Sequence, residues 1–319
     1  MASASSEPTV RTLVDEAPQD AVRRAVETLV ADATAEDGVA PLSEQGRLDV
    51  HRDHGVTHLV AEAGGRTVGY AQLVDDAAEL AVAPAARRRG VGGALLDAVL
   101  ATDPAARVWA HGELPAARAL ATSRGLQVVR ELFLLARPLP PEGDPLPQAT
   151  LPDGLRARPF EPGRDEDEWL RVNAAAFAHH AEQGRMTRED LDERTAQDWF
   201  DPAGLVLVVP DDDPGTVVAS HWTKVHPAGE LGDEPVGEVY VVGVDPVHQG
   251  RGLGRPVTLL GLHHLAHDPR HPGLRDVVLY VDGDNAAALK VYRSLGFSTR
   301  GTDRMWARTA DVAGDTMGA

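Results

Sequence analysis

The sequence predicts an α/β fold built twice, in two tandem domains. Three observations carry this. The chain has 319 residues, and single domains commonly run to about 150. Apolar runs of strand length alternate with stretches of helical spacing, the order that an α/β layer architecture needs. One local motif also occurs twice: a strand leads through Pro into a basic Gly-x-Gly turn and then a helix, at "VAPAARRRGVGGA" (residues 82–94) and at "VDPVHQGRGLGRP" (residues 244–256). Pro84 and Pro246 stand 162 residues apart, as do Gly90 and Gly252; Gly125 and Gly296 stand 171 apart. An internal repeat of this kind means one architecture used twice.

The elements follow in order. Residues 21–33 have helical spacing. "THLVAEAGGRTVGYAQLV" reads as two strands around a Gly-Gly turn. "ELAVAP" is a strand, residues 91–100 a helix, "RVWAHGE" a strand and residues 116–123 a short helix, with "LQVVRELFLLARP" closing the first half in strands. In the second half residues 166–177 are helical, "GLVLVVPDDDPGTVVASHWTKV" is a hairpin and "GEVYVVGVDP" a strand. A helix over residues 253–267, the strand "DVVLYVDGDN", a helix over residues 286–295 and a last strand "RMWAR" complete it. "RPLPPEGDPLPQATLPDG" has six prolines and no hydrophobic period, so it reads as a linker. The expected division is residues 1–137 as the N-terminal domain, 138–153 as linker, 154–308 as the C-terminal domain and 309–319 as a disordered tail.

Composition narrows the function. A net charge of −18 argues against a general nucleic-acid or membrane-surface binder. The absence of cysteine excludes disulfides, thiolate metal sites and cysteine nucleophiles. No apolar run approaches the roughly 18 residues of a membrane helix, and the N-terminal stretch has no signal-peptide pattern. A cytoplasmic, monomeric protein is expected.

The repeated turn has a physical reading. The first N–H groups of a helix lack partners and carry partial positive charge, so a strand–turn–helix junction attracts anions. Gly252 and Gly254 are expected to allow close backbone approach and to adopt positive φ, and Arg251 and Arg255 add charge. This is a pyrophosphate cradle without the Lys-Ser/Thr ending of an ATP-type loop or the dinucleotide-fold glycine spacing.

Here the chain resembles the GNAT acyl-CoA N-acyltransferases, whose motif is (Gln/Arg)-x-x-Gly-x-(Gly/Ala) opening a helix. The resemblance implies two tandem GNAT domains, each a mixed central sheet flanked by helices. It implies acetyl-CoA as cosubstrate, with no metal. In the second copy CoA would meet Gln249, Gly250, Arg251, Gly252, Leu253, Gly254 and Arg255. In the first it would meet Arg88, Arg89, Gly90, Val91, Gly92 and Gly93. Backbone of the preceding strands, Val242, Gly243 and Val244 and likewise Leu80, Ala81 and Val82, would hold the pantetheine arm and polarise the thioester. Asn285, Ala286, Ala287, Ala288, Leu289 and Lys290 would contact the CoA arm. The further stretches "DGVAPLSEQ", "WAHGELPAAR", "RVNAAAFAHHAEQG", "WFDPAGL", "HWTKVHP" and "YVDGDNAAALKVYRSLGF" resemble a tandem branch of the superfamily, over roughly residues 10–308. That branch acetylates the cysteinyl amine of Cys-GlcN-Ins.

The resemblance assigns the chemistry to named residues. Glu238, at the start of the strand before the CoA turn, is the expected base and also contacts the acceptor. Tyr292 is the expected acid beside the CoA sulfur. Glu44, Glu182, Lys224 and Tyr280 are expected to bind the acceptor. Plainer readings stand beside most of these: a solvated carboxylate or lysine at Glu182, Lys224 and Glu238, aromatic packing at Tyr280 and Tyr292. At the repeat spacing Tyr292 corresponds to Ala121, Asn285 to Leu114 and Glu238 to Asp76. The first copy is therefore expected to be non-catalytic, binding acetyl-CoA or keeping the turn as structure. His263 and His267, four apart on a helix, are the one candidate zinc pair, read rather as polar helix surface. A tandem acetyltransferase for another small amine, or a non-catalytic acyl-CoA sensor, remain the alternatives.

Overall fold

The computed structural model describes residues 8–140, 146–178 and 181–308 and, of residues 181 and 182, the backbone alone. In chain order the elements are β1 (Thr9–Val14), α1 (Asp20–Asp37), α2 (Glu44–Asp49), β2 (Thr57–Ala63), β3 (Arg66–Val74), β4 (Ala77–Val82), α3 (Val91–Thr102), β5 (Arg107–Ala110), α4 (Pro115–Ser123), β6 (Gln127–Pro138), β7 (Leu155–Pro159), α5 (Glu166–Ala176), α6 (Ala181–Gly184), α7 (Arg188–Thr195), β8 (Leu205–Pro210), β9 (Ala219–His226), β10 (Val236–Val244), α8 (Gly254–His267), β11 (Asp276–Asp282), α9 (Ala286–Ser294) and β12 (Ser298–Ala307). The strands and helices expected from the sequence are present. β1, α2, β7, α6 and α7 are additional. None of the described helices is long and apolar enough to cross a membrane.

Local chemistry fixes several ends. Gly38 takes the left-handed conformation that closes α1. Ser43 caps α2, accepting from the Gly46 N–H. Thr187 and Asp190 form a reciprocal capping box on α7. Asn285 caps α9, accepting from the Ala288 N–H at 3.0 Å.

The chain forms two compact units. One is made of residues up to Leu132 together with those from Gly301 onward; the other is Phe133–Arg300. This differs from a cut at residue 137. The chain crosses over inside strands, at Leu132/Phe133 in β6 and at Arg300/Gly301 in β12. The Pro-rich stretch expected as the interdomain linker joins β6 to β7. Its described part packs within the second unit, where Leu139 and Leu146 enter the core. Residues 141–145 and the tail from 309 lie outside the described residues.

In the first unit the strand order is β1-β2-β3-β4-β5-β12. β1 to β4 form an antiparallel meander, β4 and β5 run parallel, and β12 lies antiparallel to β5 through Arg304↔Ala110 to Trp306↔Val108. α3 covers one face with Leu95, Leu96 and Val99. α1 covers the other with Val26, Leu29 and Val30 against Val60 and Tyr70. The second unit repeats the layout as β7-β8-β9-β10-β11-β6. β7 to β10 are antiparallel and β10 and β11 parallel. α8 and α9 cover one face, with Leu259, Leu262 and Leu289. α5 covers the other, with Trp169 and Val172. β6 therefore takes in the second unit the place that β12 takes in the first.

Candidate active site

In both units the central parallel strands part company. β10 and β11 pair from Val236↔Asp276 only to Val239↔Leu279, although β10 runs on to Val244 and β11 to Asp282. β4 and β5 pair only at Ala77↔Arg107 and Ala78↔Val108. Each splay leaves a slot along the strand that leads into a Gly-rich turn. Val242, Gly243 and Val244 edge one slot, and Leu80, Ala81 and Val82 edge the other.

The two turns share their backbone. Gly250 and Gly252 have φ of 74° and 78°; at the same spacing Arg88 and Gly90 have φ of 63° and 85°. Only glycine adopts such angles without strain, so Arg88 holds a cost that its counterpart Gly250 avoids. A Cβ built on Gly90, Gly250 or Gly252 meets nothing within 4 Å. The residue after each short turn reaches back to the same carbonyl: Gln249 Nε2 donates to Val244 O at 3.1 Å and Arg87 Nε to Val82 O at 3.3 Å. Neither α3 nor α8 has a side-chain cap, so their first N–H groups remain available to a phosphate. Arg251, Arg88 and Arg89 are exposed and make no ion pair among the described residues. Arg87 is held by Asp37 through two bonds of 2.7 and 2.6 Å. Arg255 donates to Ser294 Oγ at 2.8 Å. The side chains of Val91, Ala81, Leu253 and Leu289 are buried, so what they can offer a ligand is backbone.

The copies differ beside the slot. In β10 the register slips between Val239 and Val241: Val239 faces Thr223 and Val241 faces Trp222. Tyr240 is the extra residue of a β-bulge. The bulge puts Tyr240 and Val241 on the same face, both against the α5 cluster. β4 pairs with β3 without interruption. The bulge also corrects the correspondence of Glu238. Glu238 pairs with Lys224 on one side and Val278 on the other, as Ala77 pairs with Val74 and Arg107. Its counterpart is Ala77, not Asp76, because one residue is inserted between it and the loop. Ala121 does correspond to Tyr292: Leu126 N–H donates to Ala121 O as Phe297 N–H donates to Tyr292 O. The first copy lacks both groups. Its slot instead carries a buried bridge, in which His111 joins Glu79 at 2.9 Å and Asp303 at 3.0 Å.

On the α5 face of the second unit, strand register brings Lys224, Glu238 and Tyr280 together. Lys224 and Glu238 are cross-strand partners, and Tyr280 lies two residues beyond the Val278 that faces Glu238. Lys224 is buried, with its ammonium 4.7 Å from the centre of the Trp199 ring and 5.5 Å from that of Tyr240. Such faces stabilise a desolvated cation. Arg194 Nε donates to Tyr240 Oη at 3.0 Å and fixes the ring. Glu238 is 5% exposed. Its Oε2 accepts from His226 Nε2 at 2.7 Å, and His226 Nδ1 stands 3.2 Å from Glu230. Burial alone would disfavour the His226 cation, but its bonds to Glu230 and Glu238 outweigh it and lift the imidazole to about 9. His226 is therefore a cation at neutral pH.

Tyr292 approaches the slot from the opposite face, packed against the α8–α9 core and edge-on to Phe297 at 5.9 Å. Burial pushes its hydroxyl up to about 12, so it stays protonated and able to donate. Glu44 begins α2 in the first unit. Glu182 lies in α6, but its side chain is outside the described residues. Sequence reasoning missed His226, Glu230, Trp199, Tyr240 and Arg194. A signal for His226 was present in "HWTKVHP", where it falls two residues after Lys224 and so on the same strand face.

His263 and His267 each spend one ring nitrogen on a carbonyl, Nε2 of His263 on Pro147 at 2.9 Å and Nδ1 of His267 on His263 at 2.8 Å. Among the described residues one group, Asp201, His264 and Asp268, has ligand-type atoms mutually within 4.8 Å. Arg270 already pairs with both of its carboxylates, at 2.9 and 3.4 Å.

Known proteins show the same architecture and repeat. The acetyltransferase (GNAT) family model matches residues 168–297, and a GNAT acetyltransferase domain model matches residues 54–125. A mycothiol acetyltransferase from Kytococcus sedentarius is 49% identical over 287 residues, covering 90% of this chain and 93% of that one. One from Thermomonospora curvata is 51% identical over 286 residues, covering 87% and 91%. Among solved structures, a GCN5-related N-acetyltransferase from Sphaerobacter thermophilus superposes with a TM-score of 0.63 at 23% identity, covering 94% of this chain and 95% of that one. A tandem GNAT protein from the clavulanic acid pathway gives 0.64 at 19%, covering 94% and 98%. These two share the fold.

Proposed function

The chain belongs to the mycothiol acetyltransferase family of tandem GNAT enzymes, and from that premise we propose that its second unit acetylates the cysteinyl amine of Cys-GlcN-Ins, giving mycothiol and CoA. It is an acetyl-CoA-dependent N-acetyltransferase. One observation supports the assignment to the second unit: Glu238 and Tyr292 stand on either face of its splayed strands, at positions where the first unit has Ala77 and Ala121.

Bound acetyl-CoA supplies an activated acetyl thioester. The Gly250–Gly252 turn and the first N–H groups of α8 hold its pyrophosphate, with Arg251 and Arg255 adding charge. The slot edge at Val242, Gly243 and Val244 holds the pantetheine arm and directs backbone N–H groups at the carbonyl oxygen, where charge develops. The acceptor's α-amino group has a pKa near 8 and arrives mostly protonated. Glu238 takes that proton and frees the nucleophile. Lys224, held over Trp199 and Tyr240, meets a hydroxyl or carbonyl of the acceptor, and Tyr280 packs beside it. Tyr292 donates to the departing sulfur. A hydroxyl near 12 does not give its proton outright to a thiolate of ordinary pKa, about 8.5. Its part is a hydrogen bond that stabilises the leaving group, with the amine's second proton ending on sulfur. The first unit, with Ala77 and Ala121 in place of these groups, binds acetyl-CoA without turning it over. One chain holds the whole catalytic set, so a monomer in the cytoplasm suffices.

An acceptor panel with purified protein tests this reading. Cys-GlcN-Ins should be acetylated far faster than aminoglycosides or peptide amines. Acetylation of those amines but not of Cys-GlcN-Ins would replace the proposal with a different acceptor, and binding of acetyl-CoA with no turnover on any amine would make the protein a sensor.

A further inference from the structure

Glu238 does not stand alone in the second unit. It ends a buried chain of three groups that runs back to the surface: Glu238 on β10, His226 on β9 and Glu230 in the loop after β9. Glu238 and His226 side chains are 7% and 8% exposed, and that of Glu230 is 25% exposed. Two buried ions must be paired and hydrogen-bonded to be tolerated, and this chain meets that condition. The imidazolium donates from Nε2 to Glu238 at 2.7 Å, and its Nδ1 stands 3.2 Å from Glu230 as an ion pair. The bond to Glu238 goes to one oxygen only, Oε2, at 2.7 Å. Among the described residues nothing holds Oε1.

We propose that His226, anchored by Glu230, is the positioning residue of the acetyl transfer: it pins Oε2 of Glu238, leaves Oε1 as the oxygen that takes the acceptor's proton, and sets a positive charge against the carboxylate on the side away from the incoming amine. The inference rests on Glu238 being the base. The proton balance shows why a fixed, charged carboxylate matters. An ammonium and a thioester give an amide, a thiol and one released proton. The ammonium loses its first proton to Oε1 of Glu238, the nitrogen–carbonyl carbon bond forms as the carbon–sulfur bond breaks, and the nitrogen's second proton ends on sulfur. The proton on Glu238 then leaves to water with the products.

The charged groups acting on His226 are Glu230 from the following loop, Glu238 from β10 and Lys224 two residues back on its own strand. The two carboxylates hold the imidazolium and Lys224 opposes it. Removing the imidazolium therefore removes a cation from beside Glu238 and makes the carboxylate easier to protonate. A purely structural histidine would move stability and leave the pH profile in place.

The test is the pH dependence of kcat/KM for the acceptor in three variants of the full-length protein. His226→Gln keeps a donor for Oε2 and drops the charge. It should retain kcat within about tenfold on the plateau while the acid limb moves to higher pH. His226→Leu removes donor and charge. It should show the same displaced limb and lose about 100-fold in kcat, a typical share for a general base, with KM for acetyl-CoA unchanged. If His226→Leu does not fold, His226→Gln decides. A folded variant with the wild-type acid limb overturns the proposal. Glu238→Gln is the third variant and separates the two readings. If it retains activity, Glu238 is not the base. If it is inactive while His226→Gln behaves as wild type, Glu238 stands as the base and the role of His226 falls.

Discussion

Tyr292 carries two readings, a core aromatic and the proposed donor to the leaving group, and the same burial bears on both. It packs as a core aromatic, edge-on to Phe297, and the same burial lifts its hydroxyl to about 12, which keeps the donor protonated across the working range. No group among the described residues accepts from that hydroxyl, so it is available to a ligand. Tyr292→Phe removes the donor and keeps the packing. It should lower kcat by about 100-fold with little change in melting temperature or in KM for acetyl-CoA, measured by steady-state CoA release. An unchanged kcat would reduce Tyr292 to its packing role. Lys224 is the complementary case. An exposed lysine would be solvated, but this one is buried on two aromatic faces, a placement that fixes its ammonium rather than leaving it to wander.

At the scale of elements, the strand–turn–helix junction is the part most legible in the sequence. Gly252 takes the left-handed φ expected of it, while the second left-handed glycine is Gly250 rather than Gly254, and both helices start within a residue of where the motif placed them. The bulge at Tyr240 was not legible. Strand alternation alone cannot reveal one extra residue until its neighbours are known, and that residue moved the counterpart of Glu238 from Asp76 to Ala77. The short additional elements were missed for a related reason: α2, α6 and α7 span 6, 4 and 8 residues, too few for a periodic signal. The turn itself makes a prediction. Arg251→Ala with Arg255→Ala removes two cations from the cradle while the backbone N–H groups remain. KM for acetyl-CoA should rise about tenfold or more, in line with charged hydrogen bonds of roughly 1.5–3 kcal/mol, with kcat little changed. An unaltered KM would mean that the backbone alone holds the pyrophosphate.

At the scale of the whole chain, the repeat was legible and the division between its copies was not. Local patterning marks strands at residues 126–138 and 304–308, short of the full extent of β12, and it carries no information on which sheet each joins. The first unit takes its last strand from the end of the chain. Asp303 receives hydrogen bonds from His111 and the Gly112 N–H, and Trp306 enters the first unit's core. A fragment of residues 1–137 therefore lacks an edge strand, a buried charge partner and a core tryptophan. It should fail to give a cooperative thermal transition, followed by circular dichroism, whereas the full chain gives one. A fragment that melts as sharply as the full chain would contradict the assignment of β12.

The proposed division of labour between the copies rests on what each slot holds. The second has Glu238, Tyr292 and a bulge; the first has Ala77, Ala121 and the His111 bridge. The most direct test is CoA release over many turnovers with acetyl-CoA and Cys-GlcN-Ins, comparing wild type with Glu238→Gln. The wild type should turn over continuously. The variant should lose activity by about 100-fold or more and leave no second rate attributable to the first unit. Sustained release at the wild-type rate from the variant would contradict the account.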